Sequence, residues 1–264
     1  MANQLGKWEQ MELLKMNELT MKHIPETNIY SLENLLEFTN RYKYVYVKHN
    51  SSGQGRGIFK VFKQDGLICY NGFSIQAEPI NNCVTEKRIK EFHQTLHPFE
   101  KLGRLGNYIV QEGIQSFSSS GLPFCLRVHV QKLEGKWIIG GMNAKIGTPA
   151  TIDSGILNYH RGSQVITVEE LLTLHLKMDQ AKKKEVMDCL AKVALSAAEV
   201  ISSHFPCREY GIDFGLDPNG KPVLFEINTT PGINGFAQIE NKAIWKRIIE
   251  IRKLQNKEFN IRND

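Results

Sequence analysis

Apolar residues change their spacing several times along the chain, and each change predicts an element. The stretch "WEQMELLKMN" spaces them as a helix does, "HIPET" interrupts it, and "SLENLLEFTNRY" resumes helical spacing behind Ser31, a capping residue. From "KYVYVK" the pattern is that of strands rich in β-branched and aromatic residues. "IFKVF" and "LICYNG" follow, parted by the turn "KQDG", which predicts a locally antiparallel hairpin unit. The charged segment "TEKRIKEFHQTL" returns to helical spacing and leads into "NYIVQEGI", a short apolar strand ending in glycine, where a hinge between two lobes is expected. Beyond it, "FCLRVHVQKLEGKWIIGGMNAKIG" alternates as two strands around a turn at Glu134 and Gly135. One long helix is predicted from "TVEELL", where Thr167 and Glu170 match a capping box, to about His204. Two apolar strands joined by "DPNG" and a last helix close the chain.

Length and composition narrow the class without naming a function. The 264 residues suffice for one large domain or two small ones sharing a cleft, and 41% hydrophobic with 23% charged residues is the balance of a folded globular chain. A net charge of +5 comes from 33 basic against 28 acidic residues. Much of the excess lies in the terminal run "KAIWKRIIEIRKLQNKEFNIRND", which fits the solvated face of an amphipathic helix better than a nucleic-acid patch. Five scattered cysteines (Cys69, Cys83, Cys125, Cys189 and Cys207) show no CxxC pair, so the spacing suggests neither a disulfide framework nor a zinc site, and a reducing, cytoplasmic setting is expected. The N-terminus lacks the apolar stretch of a signal peptide, and no run approaches the roughly 18 apolar residues of a membrane span.

Candidate chemistry begins at "VKHNSSGQGRGI". A P-loop needs Lys and Ser or Thr after its last glycine, where Ile58 and Phe59 stand; a dinucleotide fingerprint needs G-x-G-x-x-G feeding a helix, whereas here G-x-G-x-G feeds a strand. What remains is a strand–loop–strand element whose small residues let backbone N–H groups approach a phosphate, with Lys48 reaching the same anion from the strand before. By itself the segment suits an unliganded Gly/Ser turn equally well. A second constellation changes the balance: "GIDFG" and "LFEIN" place Asp213, Glu226 and Asn228 on adjacent strands, with Glu226 and Asn228 on one face. Oxygen donors of this kind suit Mg²⁺ held by one or two carboxylates plus substrate phosphates.

Lysine before a glycine-rich hairpin loop, the hinge "VQEGI", the arginine strand "LRVHVQ", then "GIDFG" and "FEINTTPG" in this order resemble the ATP-grasp superfamily nearly end to end. The opening "KW", "HIPET", "GRGI" and "GLDPNGKPVLFEINTTPG" most resemble its YheC/YheD family, described as endospore coat-associated. The resemblance implies an α+β fold of two lobes enclosing a nucleotide cleft, with residues 1–110 as the N-terminal lobe and 111–264 as the C-terminal lobe. It implies ATP and one or two Mg²⁺ ions, with Mn²⁺ an alternative. Lys48 would contact the α- and β-phosphates and the adenine edge. Ser51, Ser52, Gly53, Gln54, Gly55, Arg56 and Gly57 would form a lid, and Gln111, Glu112 and Ile114 would line the adenine pocket, with Gln115 or Ser116 near the ribose. Arg127, Lys145 and Asn158 would neutralise phosphate charge, and Asp213, Glu226 and Asn228 would hold the metal.

The implied activity is a carboxylate–amine ligase acting through an acyl phosphate, with a carboxylate substrate and an amine or peptide co-substrate, and a spore association follows from the family description alone. Two departures bear on this. Cys125 stands where the arginine strand usually carries an acidic residue, and the chain starts almost at the lobes, so that a partner protein in place of a front domain, or an open substrate site, is expected. The alternative is a nucleotide-binding coat or scaffold protein without turnover. His129, between Val128 and Val130, is expected to be packed or on the surface; His160, beside Asn158 and Arg161, suits a substrate contact and plain solvation equally.

Overall fold

The computed structural model describes residues 5–98, 100, 106–157 and 162–261. Its N-terminal half forms an antiparallel sheet of six strands in the order β1-β6-β2-β3-β4-β5. These are β1 (Thr27–Ile29), β2 (Val45–His49), β3 (Ile58–Gln64), β4 (Leu67–Phe73), β5 (Pro79–Val84) and β6 (Tyr108–Glu112). Helices α3 (Leu32–Arg41) and α4 (Lys90–Leu96) cover one face, where Leu35, Phe38, Val45, Val47, Phe59, Val61, Tyr70 and Phe92 form a continuous core. Ser31 caps α3 as its position predicts, its hydroxyl accepting from the Asn34 N–H at 3.0 Å.

A second antiparallel sheet, of order β11-β10-β7-β8-β9, carries the rest: β7 (Phe124–Leu133), β8 (Lys136–Ile146), β9 (Gln164–Ile166), β10 (Glu209–Leu216) and β11 (Pro222–Asn228). One face buries Leu126, Val128, Val130, Tyr210, Ile212 and Phe214 against α6 (Gln180–Ser202). The N-terminal helix α1 (Lys7–Lys15) joins this second core through Met11 and Leu14, and the four-residue α2 (Glu18–Met21) follows it. The opposite face meets α7 (Ala243–Ile261) through Phe236 and Ile248. At that end Glu209 accepts from two Arg252 nitrogens, Nε at 2.9 Å and Nη2 at 2.6 Å, and lies 3.3 Å from Nε2 of the fully buried His129.

Three expectations need correction. The helix expected from Thr167 to His204 is broken: Thr167 caps α5 (Val168–Glu170), a π-helical turn at Leu171–His175 follows, and Lys177 turns left-handed at φ 53°. Asp179 then starts α6 afresh, accepting from the Lys182 N–H at 2.8 Å; a capping aspartate cannot also continue the preceding helix. The alternation also fails to announce β1, β5 and β9, three short or polar strands at sheet edges, where half-burial writes little pattern. Lastly, Cys69 and Cys83 form a disulfide. They are paired directly across β4 and β5, a relationship set by register that no sequence spacing displays.

Candidate functional site

Between the two sheets lies a cleft of about 730 Å³. Alternation along β2 builds one wall: Val45 and Val47 enter the core, while Tyr46 and Lys48, with Tyr44 just before the strand, face the cleft. The Lys48 ammonium donates to Gln111 Oε1 and lies 5.5 Å from the Tyr46 ring and 5.6 Å from that of Phe225. Gln111 is itself held by donation to Thr27 Oγ1 at 3.0 Å. Burial pushes the Lys48 pKa down to about 8, against the opposing pull of Glu226, so that the group stays largely protonated at neutral pH but is short of counter-charge.

The glycine loop lies above Lys48. Gln54, Gly55 and Gly57 adopt positive φ, and Gly53, Gln54 and Gly55 line the cleft. The loop closes on itself through Ser52 Oγ donating to Arg56 O, and Gly57 N–H donates to Ser74 O at 3.0 Å. At the hinge, Gly113 N–H donates to Tyr44 O at 3.1 Å, and a Cβ on Gly113 would fall 2.2 Å from the Tyr44 ring; only glycine allows this approach. The Tyr44 hydroxyl donates to Ile114 O at 2.6 Å and fixes the turn out of β6. Across the cleft mouth, Tyr46 Oη donates to Ser154 O at 3.2 Å and Lys60 Nζ to Asp153 O at 2.9 Å, so two side chains of the first sheet clasp the loop after β8.

The opposite wall depends on a β-bulge. Asp213 pairs with Glu226 and Phe214 with Leu224, leaving Phe225 as the extra residue, so that Phe225, Glu226 and Asn228 all line the cleft. Arg127, opposite Asp213 on β7, grips its carboxylate with Nε and Nη2, and Asn228 Nδ2 donates to Asp213 Oδ2 at 3.1 Å. Glu226 is paired with the Lys7 ammonium at 3.0 Å. Lys145 and Cys125 face each other across β7 and β8. Burial pushes the Cys125 thiol up to about 11 despite Lys145, so it is a neutral group at physiological pH.

Of the residues singled out in the sequence, Lys48, Gly53, Gln54, Gly55, Gln111, Glu112, Ile114, Arg127, Lys145, Asp213, Glu226 and Asn228 line this one cleft. Ser51, Ser52, Arg56 and Gly57 belong to the loop but are not part of the lining; Ser116 is, with its hydroxyl bonded to Leu216 N and O. Asn158 and His160 lie outside the described residues. Sequence reasoning missed Tyr44 and Tyr46, whose i, i+2, i+4 relation to Lys48 was visible in "KYVYVK", and Phe225, which only the bulge turns inward.

The sequence pattern of the family described as YheC/D like ATP-grasp matches residues 2–253. The chain belongs to this family. Endospore coat-associated protein YheD of Bacillus subtilis (strain 168) is 29% identical over 236 residues, which are 88% of this chain and 49% of that protein, so the chain spans about half of this relative's length. In fold, the ATP-grasp chain is similar to the D-alanine-D-alanine ligase from Coxiella burnetii (TM-score 0.53, 13% identity, 98% of this chain and 60% of that one). It is also similar to the biotin carboxylase domain of Hydrogenobacter thermophilus 2-oxoglutarate carboxylase, whose structure contains MgADP (TM-score 0.53, 15% identity, 94% and 45%). The α+β architecture of two lobes around a cleft is thus the ATP-grasp fold, shared with ATP-dependent ligases. No helix among the described residues is long and apolar enough to cross a membrane.

Proposed function

We propose that this cleft binds ATP with Mg²⁺ and joins a carboxylate to an amine, releasing ADP and phosphate. The observation that carries the reading is the convergence in one cleft of three cationic side chains, Lys48, Arg127 and Lys145, with two carboxylates and an amide, Asp213, Glu226 and Asn228. Cations opposite hard-oxygen donors suit a metal-bound polyphosphate and little else among common ligands. Lys48, short of counter-charge, takes the α- and β-phosphates, and the loop amides cover them. Tyr44 and the hinge residues Glu112 and Ile114 flank the adenine end.

Among the described residues no cage of three or more His, Cys, Asp or Glu side chains assembles, but Mg²⁺ bound largely through phosphates needs only one or two carboxylates. Asp213, Glu226 and Asn228 fit in donor chemistry, and both carboxylates carry a protein cation that a metal would have to share or displace. When bound, Mg²⁺ supplies charge neutralisation on the phosphates. Arg127 and Lys145 then offset the negative charge that develops as the substrate carboxylate attacks the γ-phosphate, and again when the amine attacks the acyl phosphate carbonyl. Asn158 shares this role by family resemblance.

One observation favours a second reading, nucleotide binding without turnover in a coat or scaffold setting. Cys125 is neutral and places no carboxylate beside Arg127 for orienting an amine. Two measurements decide. Calorimetric titration with ATP, with and without Mg²⁺, is expected to show magnesium-dependent binding that Glu226→Gln weakens; no binding overturns both readings. Hydroxylamine trapping of acyl phosphate in the presence of candidate carboxylates is expected to yield hydroxamate, and its failure across a broad carboxylate panel leaves the second reading standing.

A further inference from the structure

Lys7 opens α1 with only 3% of its surface exposed, and its ammonium meets acceptors from opposite walls of the cleft: the main-chain oxygen of Ser52 at 2.6 Å, in the glycine loop, and Glu226 Oε1 at 3.0 Å. The helix that presents it is fixed on both sides by other bonds. Gly6, at the N-cap position, offers no capping side chain, and Asn50, at the start of the loop, caps the helix in trans: Lys7 N–H donates to Asn50 O at 3.0 Å and Trp8 N–H to Asn50 Oδ1 at 2.8 Å. A Cβ on Gly6 would fall 2.4 Å from Asn50 Nδ2. Three residues on, Gln10 Oε1 accepts from the Ile227 N–H at 2.9 Å, beside Glu226 itself. The ammonium is thus delivered to its two acceptors by a turn anchored in both lobes.

We propose that Lys7 is a positioning residue: its ammonium latches the glycine loop onto Glu226 in metal-free protein and releases the loop when a divalent cation takes that carboxylate. The release step rests on the reading of Glu226 as a metal-side carboxylate. A buried ammonium is stable there because a carboxylate faces it. A divalent cation on the same carboxylate removes that compensation and repels the ammonium, and the single bond to the Ser52 carbonyl does not hold a loop alone. Loop position and metal occupancy are thereby coupled through one side chain.

Hydrogen exchange of the loop amides tests this in ligand-free protein, with the bonded N–H groups of Arg56 and Gly57 as reporters. Lys7→Met and Glu226→Gln are each expected to speed exchange across residues 51–57 by about tenfold, while Lys7→Arg stays near the unmodified protein. Mn²⁺ alone is expected to speed loop exchange in the unmodified protein and to have no further effect in Lys7→Met, which binds Mn²⁺ about tenfold more tightly by paramagnetic resonance of the free ion. Circular dichroism checks that each variant is folded, and Glu226→Gln is expected to leave the packing of α1 intact because Met11 and Leu14 carry it. Unchanged exchange in either variant overturns the latch. Absence of Mn²⁺ binding, or binding without loop release, overturns the release step. The exchange measurements use no nucleotide, so failure of ATP to bind, which sinks the ligase reading, is told apart from failure of the latch.

Discussion

Arg127 and Asp213 stand directly opposite each other on β7 and β10, and the guanidinium holds the carboxylate through both Nε and Nη2, the second at 2.8 Å from Oδ2. Both side chains are mostly buried, at 15% and 20% exposure, so each is the other's charge partner where water is scarce. Arg127→Ala is expected to cost about 3 kcal/mol of stability, because it strands a buried carboxylate. Arg127→Lys keeps the charge and loses the fork, and is expected to cost less stability than Arg127→Ala while still lowering turnover. Denaturant midpoints and ATP titrations on both variants check this; equal stability of all three proteins would mean that the pair is solvated in solution.

Lys48 presents the opposite case, a cleft cation held at a cost. Its folded pKa is about 8 against 10.5 for an ordinary lysine, so the charged form is disfavoured on folding. The penalty is fully present below about pH 8 and fades as pH rises from 8 toward 10.5. Lys48→Met, which also deprives Gln111 of a partner, is expected to stabilise the ligand-free protein by about 1 to 2 kcal/mol at neutral pH. The same change is expected to weaken ATP binding more than tenfold. Thermal melts beside calorimetry check the two halves; a destabilised variant would mean that Lys48 is already neutralised by its protein neighbours.

Acid sensitivity is expected to originate away from the cleft, at Glu209. Burial alone would raise its pKa, but hydrogen bonds from His129 and Arg252 and their charges bring it down to about 2 from 4.5. A carboxylate with a depressed folded pKa contributes stability above about pH 4.5, and that contribution is lost as pH falls from 4.5 toward 2. Arg252→Met is expected to lower stability at about pH 6 and above, where the contribution is fully present, and thereby to move the acid unfolding midpoint to higher pH. Circular dichroism against pH reads the midpoint, and coincident acid transitions in both proteins would refute the assignment.

The Cys69–Cys83 bond joins residues 14 positions apart and ties the edge strand β5 to β4. Reduction, or Cys83→Ser, is expected to lower stability by about 3 kcal/mol and to speed hydrogen exchange across residues 79–84 before the rest of the sheet. Cys83 lies on the exposed side, so reductant reaches the bond without unfolding. A melting temperature indifferent to reductant would mean that the two thiols are unpaired in solution.

Period and punctuation in the sequence were enough for the order of the main elements, for the antiparallel pairing on either side of "KQDG", "LEGK" and "DPNG", and for the same-face relation of Glu226 and Asn228. These are local properties, carried by side-chain alternation and turn residues a few positions apart. The family was legible too, because a lysine strand, glycine loop, arginine strand and acidic strand occur in a fixed order. Only tertiary structure decided the rest. Register between neighbouring strands paired Cys69 with Cys83, a bulge turned Phe225 into the cleft, and packing of α1 on the second core carried Lys7 to Glu226, 219 positions along the chain. Each of these contacts depends on where whole elements come to rest, a balance of burial and pairing summed over the fold that no single stretch of sequence records.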